Sequence, residues 1–131
     1  MAKQSIRTDS APAPAGPYSQ GVVAGGFVYT AGFGPQDPRT GAVPEGVEEQ
    51  TRQVLRNVRA VLETRGLSLD DVVKSTVHLQ DVERDFAAFN NAYREFFAEP
   101  YPVRTTVGST LMGILVEIDV VAVMGAETGT A

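Results

Sequence analysis

A two-layer α+β domain is the fold this sequence predicts, and three observations predict it. Short β-branched runs with period-two alternation lie towards both ends of the chain, and two segments of helical periodicity lie between them. The order is three strands, helix, strand, helix, two strands, with no internal repeat. Two amphipathic helices can cover only one face of such a sheet, so the other face must meet solvent or a partner. With 131 residues the chain fits one domain, expected over 1–131 with a proline-rich loop at 9–17 and a flexible tail at 125–131.

Lys3 to Thr8 reads as a first strand, ended by the proline-broken loop Asp9 to Pro17, which cannot continue a ladder. That loop delivers Tyr18, an aromatic that either covers a sheet edge or serves a site. Gly21 to Gly26 and Phe27 to Ala31 form a hairpin through the Gly25-Gly26 turn. Gly32-Phe33-Gly34-Pro35 ends it, where glycine permits either close approach to a ligand or a plain bulge. Asp37-Pro38-Arg39-Thr40-Gly41 is polar turn chemistry.

From Val47 the period changes: Val47, Val54, Leu55, Val58, Val61 and Leu62 share one side of a helix that Gly66 stops. Arg52, Arg56 and Arg59 stand beside Glu48, Glu49 and Glu63, which predicts a solvated face with i to i+4 pairs rather than a nucleic-acid stripe. Ser68 to Asp71 is a capped turn. Val72 to Leu79 follows as a strand with Val73, Ser75, Val77 and Leu79 on one face and Lys74, Thr76, His78 and Gln80 on the other. His78 is expected to be a solvated side chain. Asp81 caps a second helix whose aromatic stripe, Phe86, Phe89, Tyr93, Phe96 and Phe97, belongs in the core.

The last two strands are Pro102 to Val107 and Ile114 to Val121. Both are strongly apolar, yet they carry Arg104 and Glu117, and an unpaired buried charge costs several kcal/mol or more. Alternation sets Ile114, Val116, Ile118, Val120, Ala122 and Met124 against the helices and Leu115, Glu117, Asp119, Val121 and Val123 opposite. Arg104 shares a face with Thr106. From pattern alone, Arg104 and Glu117 are either an internal ion pair, a pair of charges meeting solvent, or the charged groups of a site.

Composition excludes several classes of chemistry. There is no cysteine and one histidine, which removes disulfides, thiolate nucleophiles and a histidine-based metal site. A net charge of -5 argues against binding a phosphate backbone. The N-terminal residues lack the apolar core of a secretory signal and no apolar run approaches the roughly 20 residues of a membrane span, so a cytoplasmic protein with no membrane partner is expected. Without a glycine-rich phosphate loop or a pyridoxal lysine motif, no cofactor is expected.

Four separated motifs change the odds between these readings. Gly16-Pro17-Tyr18-Ser19-Gln20, Asp37-Pro38-Arg39-Thr40-Gly41, Pro102-Val103-Arg104-Thr105-Thr106-Val107 and Val116-Glu117-Ile118 occur in order from about Ile6 to Val123. Together they resemble the RidA/YjgF/UK114 family of reactive-intermediate (enamine/imine) deaminases. The resemblance implies a chorismate-mutase-like fold, with a mixed sheet of about six strands carrying two helices on one face. It further implies a homotrimer with sites between subunits, and hydrolysis of imines such as 2-aminoacrylate to 2-keto acids and ammonia. By the same resemblance Arg104, Glu117 and Tyr18 are catalytic, and Arg104, Gly32, Phe33, Thr106 and Asn90 bind the substrate, with no metal. A non-catalytic small-carboxylate binder and an endoribonuclease are the alternatives. Two departures from the family bear on specificity. Phe33 stands where a glutamine is usual, and Leu111-Met112-Gly113-Ile114 is about two residues shorter than the usual Leu-Pro-x-Gly turn.

Overall fold

A computed structural model describes residues 2–125. Six strands and two helices run in the order β1 (Gln4–Ile6), β2 (Gly21–Ala24), β3 (Phe27–Thr30), α1 (Val47–Glu63), β4 (Val72–Leu79), α2 (Val82–Tyr93), β5 (Val103–Gly108) and β6 (Val116–Val123). They form one mixed sheet of order β1-β2-β3-β6-β4-β5. Among the described residues, only β4 and β5 are parallel neighbours. The two-layer α+β architecture expected from the element order is the one observed. Among the described residues, no helix is long and apolar enough to cross a membrane.

The central strand β6 shows why the sheet has two unlike faces. Val116, Ile118, Val120 and Ala122 are buried while Glu117, Asp119 and Val121 are only partly so. Val77 and Leu79 of β4 extend this inner surface, and Val54, Leu55, Val58, Val61 and Leu62 of α1 with Phe89 of α2 close over it. Each such side chain contributes roughly 1.5–3 kcal/mol by leaving water. Helix α1 ends in a Schellman arrangement, with Gly66 at φ 73°, its N–H on the Glu63 carbonyl and Leu67 N–H on the Leu62 carbonyl. At the β2–β3 turn, Gly25 and Gly26 both take positive φ, the backbone that a two-residue hairpin needs.

Several expectations fail for reasons of packing. A bulge between Val72 and Lys74 turns Val72 inward and leaves Val73, expected on one face with Ser75, Val77 and Leu79, 40% exposed. Helix α2 stops at Tyr93, and of its aromatic stripe Phe89, Tyr93 and Phe97 are buried whereas Phe86 is exposed. The arginines of α1 are not merely solvated: Arg52 pairs with Glu49 and bridges to Glu95 beyond α2, and Arg59 lies over the Phe96 ring. Beyond Gly125, the tail expected at 125–131 lies outside the described residues.

One buried side chain holds the first part of the proline-rich loop. Gln20 is buried; its Oε1 accepts from Thr8 N–H at 2.7 Å, and its Nε2 donates to the carbonyls of Thr8, Ala11 and Pro12. This knot fixes the path of the chain that presents Tyr18. Gln20→Ala is expected to cost roughly 1–3 kcal/mol, because truncation removes the side-chain partner of four backbone groups at a buried position. Urea denaturation of the variant against the parent measures it.

Candidate active site

Glu117 sits on the open face of β6 and borders a cavity of about 730 Å³. Tyr18, Gly32, Phe33, His78, Ser109 and Ile114 line the same cavity. A second recess of about 700 Å³ lies across the wall made by Tyr18, Gly32 and Glu117, over Val22 and Tyr29. Gly32 is required here by contact. A Cβ at this position would overlap the Glu117 carboxylate, with Cδ at 3.0 Å and Cγ at 3.2 Å. Phe33 is fixed by a pair of backbone hydrogen bonds with Ile118, at 2.9 and 3.1 Å, which hold the Gly32 turn against β6. The Tyr18 hydroxyl accepts from Ala15 N–H at 3.0 Å. Among the described residues, nothing donates a hydrogen bond or forms an ion pair to Glu117.

Arg104 lies elsewhere. Its register partner on β4 is Ser75, which is buried among the helices, so Arg104 projects from the helix side of the edge strand β5. There the guanidinium carbon stands 4.7 Å from the Tyr93 ring centroid, 5.2 Å from Phe89 and 5.8 Å from Phe86. A flat cation over aromatic faces is held by their quadrupoles, which accounts for Phe86 remaining useful although exposed. Tyr93 is tied at 2.7 Å to Ser75. Burial pushes its hydroxyl pKa up, and the Ser75 hydrogen bond and Arg104 charge partly offset this. Asn90, Arg94, Tyr101 and Pro102 complete a recess of about 230 Å³ beside Arg104.

The residues expected at one site therefore fall into two groups. Tyr18, Gly32, Phe33 and Glu117 meet on the open face, and Arg104 and Asn90 meet on the helix side. Thr106, two residues along β5 on the Arg104 side, lines neither recess. Opposite faces rule out an ion pair between Arg104 and Glu117 within one chain. His78, expected in solvent, is partly buried in the Glu117 cavity, with Nδ1 2.7 Å from Ser109 Oγ. Period-two alternation put His78 on its correct face, but only the β4–β6 register sets it opposite Glu117.

Residues 8–124 match the family model described as Endoribonuclease L-PSP. A RutC family protein of Pyrococcus horikoshii is 46% identical over 123 residues, covering 92% of this chain and 97% of that one. The 2-iminobutanoate/2-iminopropanoate deaminase of Salmonella typhimurium is 44% identical over 125 residues, covering 92% and 97%. Among solved structures, RidA from an Antarctic Psychrobacter superposes with a TM-score of 0.86 at 41% identity, covering 92% of this chain and 98% of its own.

One carboxyl on the open face carries a testable electrostatic signature. Burial pushes the Asp119 pKa up, against the pull of the His78 and Lys74 charges. A carboxyl whose folded pKa is raised stabilises fully below its unfolded value, and that contribution is lost as pH rises through the folded one. Asp119→Asn is therefore expected to be more stable than the parent at pH 7, with the gap narrowing towards pH 4. Urea midpoints at both pH values measure this.

Proposed function

Because the chain belongs to the Endoribonuclease L-PSP family, which holds the RidA/YjgF proteins, we propose that it hydrolyses reactive 2-imino acids to 2-oxo acids and ammonia. The site is assembled from two copies. The observation that carries the reading is the separation itself: a cation held ready on the edge strand β5 and an unpartnered carboxylate in an open-face cavity, on faces that one chain cannot join. A second copy can bring its β5 edge to the cavity of the first. The exposed apolar residues Tyr29, Val103, Val107 and Val123 on the open face support such contact, and a homotrimer with three equivalent clefts is the assembly we infer.

In that cleft the Arg104 fork takes the substrate carboxylate through two parallel hydrogen bonds. The planar C=N group lies over Gly32, where no side chain intrudes. Glu117 accepts a proton from water as the water oxygen bonds to the imine carbon, giving a carbinolamine. Proton transfer to its nitrogen lets the C–N bond break with the electron pair leaving on ammonia. The remaining hydroxyl becomes the carbonyl of the 2-oxo acid as it loses its proton. Tyr18 and the Gly32 carbonyl orient water and nitrogen, and the Thr106 hydroxyl acts from the Arg104 strand. Phe33 supports a pocket wall that is less polar than a glutamine would give, and Asn90 braces Arg104. Metal and cofactor have no part in this scheme. The ribonuclease reading has the charge of -5 against it.

The test couples a threonine or serine dehydratase to 2-oxo acid appearance with and without the protein. Acceleration is expected. Arg104→Lys and Glu117→Gln should each lower the added rate on the order of 10²-fold or more, since lysine lacks the planar fork and glutamine cannot take the proton. Loss of the aromatic stacking should also cost Arg104→Lys about 0.5–2 kcal/mol of stability, so rates are read well below its melting temperature. Co-expressing the two variants should regain activity at about a quarter of the sites by random assortment around a ring. A parent without effect on 2-oxo acid release would leave a small-carboxylate binder. No recovery on co-expression, or a monomeric mass by light scattering, would sink the shared cleft.

A further inference from the structure

We propose, resting on the deaminase reading, that His78 is a second proton-transferring group of the site and donates the proton that releases ammonia, while Glu117 serves the attacking water. The β4–β6 register sets His78 directly opposite Glu117. Residues so paired across antiparallel strands have Cβ atoms about 4.5–5.5 Å apart. Both side chains line the cavity of about 730 Å³, on the same wall as Gly32 and Tyr18.

The imidazole is held as a working acid or base is held. Nδ1 is engaged by Ser109 Oγ at 2.7 Å, which leaves Nε2 for a molecule in the cavity. Ser109 is itself fixed, its N–H donating to the Leu79 carbonyl at 2.9 Å, and Leu111 N–H donates to Gln80 Oε1 at 2.6 Å. A three-part arrangement of cavity, imidazole and orienting hydroxyl results. The charged and titratable groups facing His78 are Glu117 and Asp119 from β6, Lys74 from its own strand and Tyr18 from the proline-rich loop; β5 presents Val107.

A division of labour follows from the chemistry. Once Glu117 has taken the water proton, it holds a proton while the amine still needs one in order to leave. His78 gives its Nε2 proton to the amine nitrogen of the carbinolamine. The C–N bond breaks with its electron pair on nitrogen as the hydroxyl oxygen forms the C=O bond. The hydroxyl proton returns to the imidazole, and Glu117 passes its proton to the ammonia. Iminium and water become 2-oxo acid and ammonium, with both groups restored.

The experiment measures kcat and KM of the parent, His78→Gln, His78→Phe and Ser109→Ala between about pH 5 and 8, the range in which imidazole ordinarily changes charge. The substrate is 2-iminopropanoate generated in place by the serine dehydratase. His78→Gln and His78→Phe are expected to lose on the order of 10²-fold in kcat, with KM changed less than about twofold. The parent is expected to lose rate on the alkaline side beyond the solution reaction, and the two variants are expected not to. Ser109→Ala, which leaves β4 intact and serves if the His78 variants misfold, should lose about 3- to 10-fold in kcat through a freed ring. Parental kcat and pH profile in either folded His78 variant, or in Ser109→Ala where those misfold, would overturn the proposal. So would a loss confined to KM. These outcomes leave the deaminase reading standing, whereas an inactive parent removes both.

Discussion

The register of β4 between its two neighbours is the constraint on which everything else depends. Antiparallel to β6 and parallel to β5, β4 assigns each residue of three strands to a face. Ser75 aligns Val120 and Arg104 on the helix side; His78 aligns Glu117 and Val107 on the open side. A slip of one residue would exchange the faces and bury the wrong set. Val77, Leu79, Val116 and Ile118, each with no exposed surface, hold the register by the apolar area that a slip would return to water.

The same constraint keeps two opposite charges from satisfying each other. Had Arg104 and Glu117 shared a face, an ion pair between them would compete with any carboxylate ligand for the guanidinium and with water for the carboxylate. Instead Arg104 is oriented by Tyr93, Phe89 and Phe86, whose ring faces attract its charge. Glu117 is placed by the tight approach of Gly32 and has no hydrogen-bond or ion-pair partner among the described residues.

Much of this architecture was legible in local pattern. The alternation of β6, the apolar side of α1, the Gly25-Gly26 hairpin and the Asp81 cap all follow from nearest-neighbour chemistry. What could not be read was non-local. Val73 lies outside the core because of a bulge, and Phe86 is exposed beside Arg104, a strand residue far from it in sequence. Arg52 finds Glu95 on a chain segment 43 residues away. Motif resemblance alone named Tyr18, Gly32, Phe33, Asn90 and Thr106, of which Thr106 lines neither recess, whereas pattern singled out Arg104 and Glu117. His78 was passed over because a lone polar residue on an open strand face gives no sign of what will pair opposite it.

The outer edge of β5 has one more consequence. Among the described residues no strand pairs with that edge, and Val103, Thr105, Thr106 and Val107 give it the β-branched composition that readily adds a further strand. Unblunted, such a margin is a template for open-ended stacking of chains. Arg104 projects from near its start towards the helices, and an inward-pointing charge is one of the devices by which natural sheets discourage indiscriminate strand addition. The cation that would grip a ligand thus also guards the margin, and replacing it with a neutral β-former would carry a solubility penalty independent of chemistry.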